Sequence, residues 1–175
     1  MNRSIVILKK YPDHNREVNL IVTDLSMPGS GSLSELELDS VNEIVSELTT
    51  LISSNDPGSY YEWGVDLFSV LSGPVTSSCR NEAEGTELPD VSTRSLLDLM
   101  KELQHFKEQY RNMATLQAVA EQAFAQIKTS PSGYRKWPDA SYYEISVGDI
   151  TVSLNLSDDD LKLTIAGFLD QLGGN

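Results

Sequence analysis

Apolar residues recur along this chain with two distinct periods. At the N-terminus Ser4–Lys9, with the apolar run Ile5–Leu8, and Glu17–Asp24, which alternates through Val18, Leu20 and Val22, read as strands. Tyr11-Pro12-Asp13-His14-Asn15 between them is turn chemistry, and Ser26–Ser34 reads as a flexible connection. The period then changes. Val41, Ile44, Val45, Leu48, Leu51 and Ile52 predict a helix over Ser40–Ser53, with Asp39 at its N-cap and Asn55-Asp56-Pro57-Gly58 ending it. Tyr60–Leu71 is ambiguous; its aromatic and β-branched content favours a strand over a short helix. Residues 72–90 lack a pattern, contain Gly73, Pro74, Gly85 and Pro89, and read as a mobile acidic loop.

The longest regular segment has no Gly or Pro before Pro131. Leu96, Leu99, Leu103, Phe106, Tyr110 and Met113 step by three and four, a coiled-coil-like seam that continues with a shift of phase through Leu116, Ala120, Phe124 and Ile127. One helix over 93–128 would measure about 54 Å at ~1.5 Å per residue. That is long for a domain whose radius of gyration should be roughly 16 Å, so the helix either breaks near 112–115 or projects and pairs with another. At the C-terminus Tyr142–Val147 and Ile150–Leu156 alternate around Gly148-Asp149, a two-residue hairpin turn. Ser157 and Asp158-Asp159-Asp160 then open a helix carrying Leu161, Ile165, Phe168, Leu169 and Leu172. These elements predict a single α+β domain over 1–175. Its antiparallel sheet, built from the two terminal hairpins, packs against three or more helices.

Charge changes this picture more than composition does. The net charge is −13, and between Glu17 and Met100 fifteen acids face only two bases, Arg80 and Arg94. The rest of the chain is balanced, so the whole excess sits in one stretch and can select a basic partner rather than merely aid solubility. That sign argues against direct nucleic-acid binding and against an anionic membrane. No apolar run approaches the ~20 residues of a bilayer span, and the N-terminal run is too short for a secretory signal. One cysteine cannot build a disulfide framework, and the expected setting is the cytoplasm.

Candidate chemistry is sparse. His14 and His105 read as turn and helix-surface residues. Cys79 stands beside Arg80 without a histidine partner and reads as an incidental exposed thiol. Asp158–Asp160 lacks calcium-loop spacing and suits a helix start; Gly29-Ser30-Gly31-Ser32 lacks the ending of a phosphate loop. No catalytic, cofactor or metal set emerges.

What stands out is a set of uncompensated acids near aromatic residues. Glu43, Glu47, Glu62 and Asp66, with Tyr60, Tyr61, Trp63 and Trp137 as anchors, form the candidate surface for a partner. In size, acidity and lack of chemistry the chain is similar to bacterial immunity and inhibitor proteins, a likeness of composition. It implies a module that occludes a basic protein such as a toxin or nuclease. The alternatives are a scaffold or adaptor that homodimerises through the long helix, and an enzyme with a site dispersed along the chain.

Overall fold

The computed structural model describes residues 2–9, 16–23, 30–130, 133–136 and 142–173. In chain order the strands and helices are β1 (Asn2–Lys9), β2 (Arg16–Thr23), α1 (Leu38–Ser54), β3 (Tyr61–Val65), β4 (Phe68–Ser72), β5 (Thr76–Asn81), β6 (Thr86–Glu87) and β7 (Val91–Ser92). There follow α2 (Thr93–Arg111), α3 (Met113–Thr129), β8 (Arg135–Lys136), β9 (Tyr142–Val147), β10 (Ile150–Asn155) and α4 (Ile165–Gly173). The fold is α+β, with antiparallel pairing in both sheets. Two compact units divide the chain: residues 22–108, and residues 2–21 with 109–175.

In the first unit, β3, β4, β5 and β6 form a sheet in that order, with β7 also paired to β5. The ambiguous 60–71 segment is a hairpin: Val65 pairs with Phe68 around Asp66-Leu67. Asp66 takes φ +49 there, a left-handed conformation that aspartate tolerates better than most side chains. The inward face carries Trp63, Phe68, Val70, Ser72, Ser77 and Cys79, all buried. Buried Val41, Ile44, Leu48 and Leu51 of α1 and Leu96, Leu97, Met100, Leu103 and Phe106 of α2 belong to the same core, with Leu33, Leu36 and Leu99. Gln104 donates to Asn42 (2.7 Å) between the two helices. Lys107 Nζ donates to the Ser34 carbonyl (2.9 Å), tying α2 to a 3-10 turn at Ser30–Glu35.

Three expectations fail in this unit. The 72–90 segment is not an unpatterned loop, since it holds β5 and β6. The strand was hidden because its inward residues are Ser77 and Cys79, too small and polar to announce a core face. Ser77 Oγ lies 2.9 Å from Ser72 Oγ and 3.0 Å from Thr93 Oγ1, and Thr93 donates to the Gly73 carbonyl (2.7 Å). Buried hydroxyls that satisfy one another substitute for apolar side chains there. The part of the 26–34 connection that is described is 3-10 helix from Ser30. Helix α1 starts at Leu38 with Glu37 at its N-cap, leaving Asp39 in the first turn, where it complements the dipole.

In the second unit the strand order is β2-β1-β10-β9-β8. The β9–β10 hairpin turns at Gly148, whose φ of +63 suits glycine. The two terminal segments meet inside one sheet: β1 runs parallel to β10, with Ile5 opposite Val152 and Ile7 opposite Leu154. That sheet is therefore mixed rather than wholly antiparallel. Ile5, Ile7, Ile145, Val152 and Leu154 are buried, as are Leu116, Ala120, Phe124 and Ile127 of α3. Phe124 stacks on Phe168 of α4 at 4.1 Å.

The long helical segment breaks at Asn112. Its backbone is extended and its side chain accepts from the Ala114 N–H (2.9 Å), so it caps α3. Met113, the last residue of the expected seam, is consequently exposed. The final helix begins at Ile165, not Ser157. Asp160 accepts from the Ser157 N–H (2.8 Å) and hydroxyl (2.7 Å), closing a 3-10 turn, and Thr164 caps α4 through Gly167 (3.0 Å).

Candidate functional site

The two units differ most in charge. Residues 22–108 contain sixteen acids and four bases, a net of −12, whereas the other unit contains ten acids and nine bases, a net of −1. All but Glu17 of the acidic stretch of the sequence is thus gathered into one body.

On that body α1 buries one stripe and leaves the other to water. Glu43 and Glu47 are exposed one turn apart, because Ile44 and Leu48 beside them face the core. Tyr61, which opens β3, feels the charge of this pair. Burial first, and then the Glu43 and Glu47 carboxylates, push its hydroxyl above the ordinary tyrosine range. The fold therefore brings Glu43, Glu47 and Tyr61 together from sequence separations of fourteen and more.

It does not bring the rest of the candidate set to the same place. Glu62 points to the opposite, outward face of the sheet, across from Leu71. Asp66 holds the hairpin turn at the other end of β3, and the turn gives it a conformational role. Trp63 is 8% exposed and faces inward, with its Nε1 buried and without a partner, so it cannot anchor a partner from the surface. Tyr60 is 71% exposed and free to do so. Trp137 lies outside the described residues.

The outward face of the sheet spends its base internally. Arg80 pairs with Glu82 (3.5 Å) and Glu87 (3.9 Å), and Ser69 donates to Glu82 (2.6 Å). Such exposed pairs contribute about 0–1 kcal/mol each, yet they remove Arg80 as a free cation. Two further exposed apolar side chains, Leu71 and Val75, accompany Tyr60 at the end of the sheet where β4 turns into β5. Nothing in the hydrophobic pattern marks them, since an outward leucine looks like an inward one until register is known.

Cys79 is buried, not exposed, and burial with the Asp90 charge pushes its thiol up to about 11, where no useful thiolate exists at neutral pH. Among the described residues no group of three His, Cys, Asp or Glu side chains could hold a metal. No described helix is long and apolar enough to cross a membrane. In the second unit, Lys136 lies over the Tyr143 ring (5.2 Å) and Tyr134 packs on the same ring (5.3 Å). Compared with protein-family models, curated proteins and solved structures, the chain finds no match.

Proposed function

We propose that this chain is a protein-binding module of the inhibitor or immunity type, which occludes a basic partner such as a toxin or nuclease in the cytoplasm. The observation that carries this reading is the net of −12 confined to residues 22–108 while the rest of the chain is nearly neutral. A field of one sign concentrated on one body accelerates encounter with an opposite surface and repels wrong partners. Glu43 and Glu47 are the strongest steering candidates, because no base of their own helix compensates them and Tyr61 beside them offers a contact ring. The scaffold reading loses the face that motivated it: Leu96, Leu99, Leu103, Phe106 and Tyr110 are all buried within the chain itself.

The test is association kinetics with the basic protein recovered alongside this chain from its native cell. The on-rate should fall steeply with added salt, and Glu43→Lys with Glu47→Lys should lower it about tenfold at low ionic strength. An on-rate indifferent to both salt and charge reversal would sink the reading.

A further inference from the structure

Three of the six exposed large apolar side chains among the described residues, Tyr60, Leu71 and Val75, stand at one end of the acidic sheet, 71%, 47% and 73% exposed. Tyr60 leads into β3, Leu71 is the penultimate residue of β4, and Val75 sits in the turn that joins β4 to β5. Scattered surface leucines need no explanation, but exposed apolar groups gathered at one end of a sheet in a strongly acidic unit do. Glu62 lies directly opposite Leu71.

This end is also held still. Gly73 donates to the Thr76 carbonyl (2.9 Å), and the Thr93 N–H, at the start of α2, donates to the Val75 carbonyl (3.0 Å). The buried Ser72, Ser77 and Thr93 hydroxyls lie just beneath. A turn pinned at so many points presents its side chains with little ordering entropy left to lose, which favours contact over mere solvation.

Resting on the reading above, we propose that the Tyr60–Leu71–Val75 end of this sheet is the contact patch, and that its occupant is a protein segment alternating basic and apolar side chains. The apolar groups would cover Leu71, Val75 and the Tyr60 ring, while a cation would meet Glu62, which shares the outward face with Leu71. Charge complementarity selects this occupant over a second copy of the chain, whose own acidic unit would repel it.

Two synthetic peptides of equal length and charge test this, one alternating Lys with Leu and one alternating Lys with Ser, each titrated into the whole chain with backbone amide shifts recorded. The Lys/Leu peptide should bind about tenfold more tightly and move the amides of residues 60–62 and 71–76. The combined Tyr60→Ser, Leu71→Thr and Val75→Thr variant should lose that advantage while still binding Lys/Ser as before, with an amide spectrum as dispersed as the parent's to show that it is folded. Equal binding of the two peptides, or shifts confined elsewhere, overturns the patch and leaves the charge-based reading standing. Failure of both peptides to bind overturns the two together.

Discussion

The two units are built from similar parts and spend them differently. In residues 2–21 and 109–175, apolar residues from both termini meet in a mixed sheet, acids and bases nearly balance, and Lys136 is absorbed by an aromatic ring. In residues 22–108 the sheet is antiparallel, part of its core is hydroxyl and thiol, and acids outnumber bases four to one. Concentrating like charge destabilises a compact body through self-repulsion. That one unit carries this cost and the other avoids it is the contrast on which the proposed partner-binding role rests. The comparison also shows how a polar core strand survives: Ser77 is fully buried only because Ser72 and Thr93 answer it.

The largest expected effect tests whether the acidic unit is as firmly packed as its neighbour. Phe106→Ala in the acidic unit and Phe124→Ala in the balanced one should each cost about 3–5 kcal/mol in urea unfolding. Both rings are almost wholly buried, so a far smaller loss for Phe106 would mean that the acidic core is loose. Ser77→Ala comes next. It takes the Ser77 partner from the buried Ser72 hydroxyl, while Thr93 keeps the Gly73 carbonyl, and should cost about 1–3 kcal/mol; a neutral result would show that the network is not what holds β5 in place.

The smallest effect at neutral pH concerns Cys79. Its folded value is raised from the ordinary 9.0 to about 11, so the folded chain keeps a proton that the unfolded chain releases. The stabilisation from the neutral buried thiol is complete below pH 9 and is lost as pH climbs from 9 to 11. Unfolding free energy should fall across that window, and Cys79→Ala should flatten that part of the fall. An unchanged slope in the variant would assign the alkaline loss to other groups, Tyr61 among them.

Much of this architecture is legible in the order of the residues. The Val41–Leu51 stripe, the Gly148-Asp149 hairpin and the stop at Asn112 follow from local periodicity, turn chemistry and capping, which act over a few residues. The candidate site is legible only in part. Glu43, Glu47 and Tyr61 do converge, but Trp63 turns inward and Asp66 goes to a turn, because strand parity and hairpin position decide both.

By itself, then, the sequence determined the elements held by local forces, and the confinement of charge to one long stretch. Tertiary structure alone decided that β1 and β10 would lie side by side across more than 140 residues, and that a serine-rich segment would become a central strand. It alone set which of two neighbouring aromatics, Tyr60 or Trp63, would meet solvent. The physical reason is that pairing between distant segments depends on register. A shift of one residue moves every side chain to the opposite face, and nothing within a few residues of a strand records that choice.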